Sequence, residues 1–484
     1  MNKLNVCLLN DSFPPVIDGV ANTVVNYANI LQRENLANPF VVTPSFPNAD
    51  DSQFEFPVVR YRSLNIGNLV EGYRAGLPFS GTLLMDVLNR RPDIIHTHCP
   101  VISTVIAREL KNKTHAPIIF TYHTKFDIDI AKSVRSKHLQ KDVAKALVRN
   151  ISACDEVWVV SEGAGENLRS LGYQGDVVVM NNGVDFPKGR AGGQMVEHVS
   201  REYGLQSDVP VLLFVGRLLW YKGIRILIDA LRMLRDTQDF QMVFVGKGAD
   251  EEEIKEYVKE TGMQDKIVFT GPIYDREKLR AMNTRGDLFL FPSTYDTNGL
   301  VVREAAACGL ASLVISGSCA AEGITDGRNG FFCEEDAESM YKKLEEILKD
   351  LDSVHQVGMR AMEEIYISWS DSVHQAHERY QDVIERKRNG QLIRPEEKLS
   401  DDFYRISAEA LLTLKRARMA SIEEFMNIKS GITNVFDKAY DKVDRVYDRL
   451  GDKLHDLYGR LRRNIEETEQ DVDVERIGNQ DRYL

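Results

Sequence analysis

Residues 287–309 read DLFLFPSTYDTNGLVVREAAACG, which places a strand, a turn and a helix in succession. The apolar run at 287–291 predicts a buried strand, and the stretch that ends at Gly309 predicts a helix closed by glycine. Asp296 and Glu304 lie on either side of the turn, so their two carboxylates can face one cleft. The free N–H groups at the start of such a helix suit an anionic ligand.

The same alternation of short apolar strands and helical patterns runs through most of the chain. Continuous apolar strands between helices predict parallel sheets that are covered on both faces. The pattern pauses near residues 186–209 and then restarts, which predicts two doubly wound α/β domains with a cleft between them. Strands are predicted at Leu4–Leu9, Phe40–Thr43, Asp93–Thr97, Pro117–Tyr122, Glu156–Val160 and Val177–Met180, and then at Val211–Val215, Met242–Val245, Ile267–Thr270, Leu288–Phe291 and Ser312–Ile315.

Domain boundaries follow from this pattern. An N-terminal Rossmann-like domain is predicted at residues 1–190, a linker at 191–209 and a C-terminal Rossmann-like domain at 210–370. A helix at 371–390 is expected to cross back to the first domain, and a helical extension is expected at 391–484.

Bulk composition limits the classes of function. The chain has 484 residues, of which 43% are hydrophobic and 28% charged, and its formal net charge is -12. These values fit a globular protein of two or three domains and disfavour a general nucleic-acid role. The first apolar run is too short for a signal peptide, and no stretch reaches the length of a transmembrane helix. Six scattered cysteines without a CxxC pair predict buried thiols in a reducing cytosol.

Charged and glycine-rich loops follow the predicted strands of the second half. Arg217 and Lys222 flank the loop after the strand at 211–215, at the sheet edge where α/β proteins bind ligands. Two fixed cations at that edge can neutralise a diphosphate without a metal ion. Gly246 and Gly248 end the next strand and let the backbone approach a ligand closely, although the same pattern also forms ordinary turns.

Together these motifs resemble the retaining glycosyltransferases of the large group 1 and family 4 class. The match covers about residues 1–385 and implies a GT-B fold, in which an acceptor domain and a nucleotide-sugar domain face a cleft. The motifs are GR…KG at 216–223, GKG at 246–248, FTG at 269–271, the Asp296-x7-Glu304 pair, FPPVIDGV at 13–20 and NGVD at 182–185.

One branch of the class is the most similar. The segments TNGLV at 297–301, HTH at 96–98 and TYHT at 121–124 resemble the branch that includes diacylglycerol glucosyltransferases. This resemblance implies UDP-glucose as the donor and a lipid such as diacylglycerol as the acceptor. It also implies front-side attack without a protein nucleophile and no metal or other cofactor. Two alternatives stay open: transfer to a polysaccharide or glycoprotein, and a weakly active partner subunit of a glycosyltransferase complex.

The resemblance implies roles for individual residues. Arg217 and Lys222 would hold the donor diphosphate, and Glu304 would bind the ribose. Asp296 would contact the donor sugar where the family usually has Glu, and its side chain, one methylene shorter, indicates a different donor sugar or a lower activity. His123 is also predicted to be catalytic. Further donor contacts are implied at Gly19, Gly246, Gly248, Asn298, Gly299, Leu300 and Val301, and acceptor-side positions at Asp18 and His98.

Two patterns could suggest a metal site. Asp127-Ile128-Asp129 is a DxD string, a motif that binds a metal ion in a different glycosyltransferase fold. Its position in the first domain does not fit that fold. His96-x-His98 fits the end of a buried strand at the cleft better than a pair of metal ligands. No metal is therefore expected.

Two helical segments suggest contacts beyond the cleft. Residues 132–149 carry six cations and one anion, which fits either an ordinary surface helix or docking on anionic lipid headgroups. A lipid acceptor would make the protein cytoplasmic and peripheral on the inner face of the membrane. Residues 432–465 are amphipathic and fit three arrangements: packing on the protein itself, a coiled coil in an oligomer or with a protein partner, or a membrane-surface helix.

Overall fold

The computed structural model describes residues 3–16, 18–65, 74–76, 81–133 and 137–392. Within these ranges the chain forms two α/β domains, each built on a parallel sheet between helices. The prediction of two Rossmann-like doubly wound domains is confirmed. The helical extension predicted from residue 391 falls, apart from its first two residues, outside the described residues, and the amphipathic segment at 432–465 lies wholly outside them.

The sheet of the first domain has, in the described residues, seven strands. They are β1 Leu4–Leu9, β2 Ala37–Pro44, β3 Val58–Tyr61, β6 Ile94–Thr97, β7 Ile118–Tyr122, β8 Glu156–Val159 and β9 Val178–Val179, while β4 Ser63–Asn65 and β5 Arg74–Gly76 form a separate antiparallel pair. Their order is β3-β2-β1-β6-β7-β8-β9. The chain therefore reverses its direction of winding between β1 and β6.

Helices cover both faces of this sheet. They are α1 Gly19–Arg33, α2 Gly81–Asn89, α3 Ile102–Thr114, α4 Phe126–Ser133, α5 Lys137–Ser152 and α6 Glu162–Ser170. Alternate residues of β1 enter different hydrophobic clusters: Cys7 and Leu9 belong to one, Val6 and Leu8 to the other. Both faces of β1 are thus buried from Val6 to Leu9, which is why this part of the strand is a continuous apolar run.

The second domain repeats this plan around one large core. Its strands are β10 Val211–Val215, β11 Gln241–Val245, β12 Ile267–Gly271, β13 Leu288–Phe291, β14 Ser312–Ile315 and β15 Phe331–Cys333, and its helices are α7 Gly193–Glu202, α8 Ile224–Leu234, α9 Glu251–Glu260, α10 Arg276–Arg285, α11 Leu300–Ala307, α12 Ala337–Ile347 and α13 Leu351–Glu364. The strand order is β12-β11-β10-β13-β14-β15, so this sheet switches between β10 and β13. The predicted linker at 191–209 contains α7, whose Val199 is fully buried in the second core.

The last described helix, α14 at Trp369–Arg388, packs on the first domain. Trp369 and Tyr380 are buried in the same cluster as Val6 and Leu8 of β1. The chain thus returns to its first domain after completing the second.

Candidate active site

The loops singled out by sequence lie at the two switch points. In the second domain Lys222 follows β10 and Asp296 follows β13, the adjacent strands at which the winding reverses. In the first domain Asp18 follows β1 and His98 follows β6. Open parallel sheets bind ligands at the carboxyl ends of their strands beside such a switch point. Both sheets therefore present predicted site residues where a ligand is expected.

Lys222 and Asp296 form an ion pair across the second switch point. The Lys222 Nζ lies 2.6 Å from Oδ1 and 2.7 Å from Oδ2 of Asp296, and the Ser293 hydroxyl donates to Oδ2 at 2.6 Å. The Lys222 side chain is 9% exposed and that of Asp296 26% exposed. An ammonium group has three N–H bonds, so Lys222 keeps one donor beyond the two that Asp296 accepts.

The glycines after β11 have a packing role that the sequence did not indicate. A Cβ on Gly246 would lie 1.9 Å from the Gly216 carbonyl oxygen, and one on Gly248 would lie 2.1 Å from that of Leu218. The Leu218 N–H also donates to the Lys247 carbonyl at 3.1 Å. These glycines let the loops after β10 and β11 pack against each other, and their donor contact stays a prediction.

Glu304, on α11, has a partner that sequence analysis missed. Its Oε1 accepts a hydrogen bond from Arg276 at 2.7 Å, and Arg276 also lies 3.7 Å from Asp185. Burial raises the pKa of Glu304, while the Arg276 charge opposes that rise. Asp296 and Glu304 thus belong to two separate ion pairs. Arg276 belongs to none of the motifs that suggested the site, so no local signal identified it.

The amino end of α11 offers backbone donors. Gly299, at φ 61, precedes the helix, and a Cβ there would lie 2.8 Å from the Ala320 Cα. Gly299 has no side chain to cap the helix, and among the described residues no partner is found for the N–H groups of Leu300 and Val301. Such groups suit a phosphate or a sugar hydroxyl. Arg217, in the loop after β10, is exposed.

In the first domain, the Asp18 side chain caps α1. Its Oδ1 accepts from the N–H groups of Val20 at 2.9 Å and Ala21 at 2.7 Å. The sequence placed Asp18 on the acceptor side, and that contact stays a prediction beside this capping role. A Cβ on Gly19 would meet no atom within 4 Å, so there is space beside the start of α1 for a ligand.

His98 and His123 lie side by side at the ends of β6 and β7. The His98 Nδ1 is 2.9 Å from the His123 Nε2. His98 is buried, whereas His123 is partly exposed. Burial lowers the pKa of His123 to about 3 and holds the pKa of His98 well below its usual value. Both rings are therefore neutral near pH 7.

The turn after β13 contacts the first domain directly. The Thr297 hydroxyl donates to the His123 carbonyl at 2.7 Å, and Asn298 Nδ2 donates to the Val160 carbonyl at 2.9 Å. The carboxyl ends of the two sheets therefore meet, and the switch points border one cleft. Asn298, predicted to bind the donor, has its side chain in this contact between domains.

Arg303 supports the same junction and was not predicted. It is buried and donates to Asn298 Oδ1 at 3.2 Å, to Asn181 Oδ1 at 3.2 Å and to the Ile365 carbonyl at 3.1 Å. Burial lowers its pKa. Arg303 precedes Glu304 in the motif, and the sequence does not show which of the two side chains turns inward.

Among the described residues, no group of three or more His, Cys, Asp and Glu side chains is arranged to hold a metal ion. Asp127, from the DxD string, accepts a hydrogen bond from Asn167 at 3.1 Å. Within the same residues, no helix is both long enough and apolar enough to cross a membrane.

Comparison with protein families identifies both domains. Residues 17–187 match the model described as Glycosyltransferase Family 4, and residues 196–364 match Glycosyl transferases group 1. The chain therefore belongs to the group 1 and family 4 glycosyltransferases, as the motifs predicted.

Curated relatives share this class at low identity. The sulfoquinovosyl transferase SQD2 of Arabidopsis thaliana is 28% identical over 60% of this chain and 56% of its own length. The alpha-monoglucosyldiacylglycerol synthase of Streptococcus pneumoniae is 25% identical over 63% of this chain and 70% of its own length. The alpha-monoglucosyldiacylglycerol synthase of Acholeplasma laidlawii is 22% identical over 73% of this chain and 88% of its own length.

Solved structures show the same GT-B fold. HepE of Anabaena, crystallised with UDP and glucose, superposes with a TM-score of 0.60 at 17% identity, over 78% of this chain and all of its own. WaaG, a glycosyltransferase of lipopolysaccharide biosynthesis, has a TM-score of 0.57 at 15% identity, over 78% of this chain and 99% of its own.

Proposed function

We propose that this protein is a retaining, metal-independent hexosyltransferase that moves glucose from UDP-glucose to a lipid such as diacylglycerol. The observation that carries the proposal is the meeting of the two switch points, with Lys222 and Asp296 on one side of the cleft and His98 and His123 on the other. The names of the bacterial alpha-monoglucosyldiacylglycerol synthases and the UDP-glucose complex of HepE support the acceptor and donor classes.

The cations and backbone donors of the second domain would act on the donor diphosphate. Breaking the bond between the anomeric carbon and the phosphate oxygen leaves negative charge on the departing UDP. Arg217, the remaining N–H of Lys222 and the N–H groups of Leu300 and Val301 would stabilise that charge. Since these groups already carry charge or aligned dipoles, they can assist departure without a metal ion.

Front-side attack would give retention of configuration. The acceptor hydroxyl oxygen bonds to the anomeric carbon on the face that UDP leaves, and its proton passes to the departing phosphate oxygen. No protein side chain then has to be a nucleophile. Glu304 would hold the ribose through Oε2, because Arg276 occupies Oε1. His123, neutral and partly exposed, would hydrogen-bond the sugar.

A lipid acceptor implies that the protein binds peripherally to the cytoplasmic face of a membrane, where it reaches its substrate. Helix α5 presents Lys141 and Lys145 as exposed cations. Each basic residue near an anionic surface contributes about 1 kcal/mol of attraction. Binding to vesicles that contain anionic lipid should therefore weaken in Lys141→Glu and Lys145→Glu variants, with unchanged thermal stability.

Lipid transfer tests the whole proposal. Purified protein is incubated with radiolabelled UDP-glucose and vesicles that contain diacylglycerol, with and without EDTA, and the product linkage is read by proton NMR. We expect an α-linked glucolipid, insensitivity to EDTA, and loss of turnover in Arg217→Ala and Glu304→Ala. Lys349→Ala removes another exposed cation of the second domain and should retain activity.

Other outcomes separate the alternatives. Transfer to soluble glycans without any glucolipid would favour a polysaccharide or glycoprotein acceptor. A β-linked product would overturn retention, and loss of activity in EDTA would overturn metal independence. No consumption of any nucleotide sugar, together with a stable complex with another glycosyltransferase, would favour the partner subunit.

A further inference from the structure

A chain of neutral imidazoles links the core of the first domain to the cleft. His96 is fully buried, with Nδ1 2.6 Å from the Tyr380 hydroxyl and Nε2 2.7 Å from the Thr121 hydroxyl. The His98 ring lies beside it, with the two ring centroids 4.0 Å apart. His98 in turn contacts the partly exposed His123 through the 2.9 Å contact between Nδ1 and Nε2. The cluster thus extends from α14 to the domain junction.

The other nitrogen of His98 decides the direction of this hydrogen bond. His98 Nε2 is buried and has no hydrogen-bond partner among the described residues. Neutral histidine carries one N–H and one lone pair. Were the proton on Nε2, a buried N–H would be left unpaired, and a buried donor without a partner is rarer in proteins than an under-satisfied acceptor. The proton is therefore more stable on Nδ1.

An aromatic neighbour of His98 does not alter this choice. The Tyr27 ring stands edge-on to His98 at a centroid distance of 5.7 Å. Any N–H contact with an aromatic ring is a second-order interaction, weaker than the bond that an Nδ1–H makes to His123. A doubly protonated His98 is disfavoured, because burial holds its pKa well below the usual value.

We infer that His98 is a positioning residue that donates from Nδ1 to His123 Nε2 and thereby fixes His123 as the Nδ1–H tautomer. His123 then presents a hydrogen-bond donor, not an acceptor, from its second nitrogen. The His123 carbonyl accepts from Thr297 at 2.7 Å, so this donor is anchored next to the turn that carries Asp296. On the proposed function, it would bind an oxygen of the sugar or acceptor, while Asp296 and its neighbours act on the donor side.

Imidazole nitrogen NMR of the full-length protein, with histidine labelled, tests the tautomer without any substrate. A protonated ring nitrogen and a bare one resonate far apart, and the His123 signals are assigned by their loss in His123→Gln. We expect a protonated Nδ1 and a bare Nε2 for His123. A protonated Nε2 in the wild type would overturn the inference.

Three variants test whether His98 determines the tautomer of His123. His98→Leu removes the donor, and we expect His123 to lose its single tautomer. His98→Asn keeps an N–H at the position of Nδ1 and should restore it. Tyr380→Phe removes the hydroxyl on His96 only and should leave the His123 signals unchanged. A His123 tautomer that persists in His98→Leu would show that another group sets it, and would equally overturn the inference.

Kinetics add a readout that depends on the proposed function. His98→Leu should lower kcat for sugar transfer by about 100-fold, the scale of misplacing a group in the reacting complex, with little change in the donor KM. His98→Asn should recover most of that loss. Thermal unfolding confirms that each variant is folded. If no nucleotide sugar is consumed by the wild type, the proposed function fails, whereas the NMR result still decides the tautomer.

Discussion

Lys222 and Arg217, the two cations of the loop after β10, should contribute differently to the stability of the protein. Lys222 is buried and holds the Asp296 carboxylate, whereas Arg217 is exposed in the same loop. A buried group left without its partner destabilises a protein, but an exposed group that is removed generally does not. The two cations can therefore be distinguished by measuring stability and turnover together.

Lys222→Ala should lower kcat by about 100- to 1,000-fold and the free energy of unfolding by about 1–3 kcal/mol, because Asp296 loses its partner. Arg217→Ala should lower kcat without a change in stability. Transfer kinetics and denaturant unfolding measure both effects. Equal losses of stability in the two variants would contradict this distinction.

Gly19 and Gly246 were both predicted to contact the donor, but replacing each with alanine should have different effects on stability. Gly246 has φ 136 and a Cβ there would lie 1.9 Å from the Gly216 carbonyl, so Gly246→Ala should lower the melting temperature markedly. Gly19 faces open space, so Gly19→Ala should keep the melting temperature. If Gly19 lets α1 approach the donor phosphates, its variant should still raise the donor KM. A wild-type KM would count against that role.

At the scale of elements, α14 depends on one buried acid. Glu156, on β8, accepts from Arg379 at 2.7 Å and from Arg386 at 2.9 Å, and also from the Trp158 indole at 2.7 Å. Although burial opposes ionisation, these donors hold the pKa of Glu156 below its usual value. The acid thus links a strand of the first sheet to the helix that returns from the second domain.

Glu156→Gln should lower the free energy of unfolding by about 1–3 kcal/mol at pH 7. Since the folded pKa of Glu156 lies below the unfolded one, its contribution is complete above the unfolded pKa and disappears as the pH falls through the folded value. The stability difference between the wild type and the variant should therefore begin to shrink near the unfolded pKa of Glu, about 4.3, and shrink further as the pH falls through the folded value. Urea unfolding between pH 7 and pH 3 measures the difference. A gap that stays constant down to pH 3 would exclude this account.

At the scale of the whole molecule, the junction between the domains is polar, with Asn298 and Arg303 buried in it. Arg303 reaches Asn298 and Asn181, and Glu322 of the second domain accepts from the N–H groups of Glu162 and Gly163 at 2.8 Å each, at the start of α6. The bonds of Arg303 to Asn181 and of Glu322 to α6 cross between the domains, and Arg303 also holds Asn298, whose side chain donates to the Val160 carbonyl of the first domain. Because these bonds join the two domains, they should couple the unfolding of the domains.

Arg303→Met should lower the melting temperature and separate the unfolding of the two domains, because the bond to Asn181 across the junction is lost together with the bonds to Asn298 and Ile365 that hold the turn in place. Differential scanning calorimetry should then resolve two transitions. Lys342→Ala, which removes an ion pair with 67% and 70% exposed side chains, should leave the trace unchanged. A single transition at the wild-type temperature in Arg303→Met would disprove the coupling.

The central elements could be predicted from local pattern. Strands at Leu4–Leu9, Val211–Val215, Leu288–Phe291 and Ser312–Ile315 have the predicted bounds, because burial on both faces makes most positions of each strand apolar. Strands β3 and β15 were missed. Both are short edge strands that pair on one side only, so their sequences carry a weaker signal.

The order of motifs along the chain was enough to indicate the glycosyltransferase class and the loops that border the cleft. That order was not enough to predict which side chains pair with each other. Lys222 meets Asp296, Arg276 meets Glu304 and His98 meets His123 because strand order brings together loops far apart in sequence. Apolar periodicity depends on the burial of each residue in its own element. Which charge faces which depends on how those elements are arranged, and that information appears only in the folded chain.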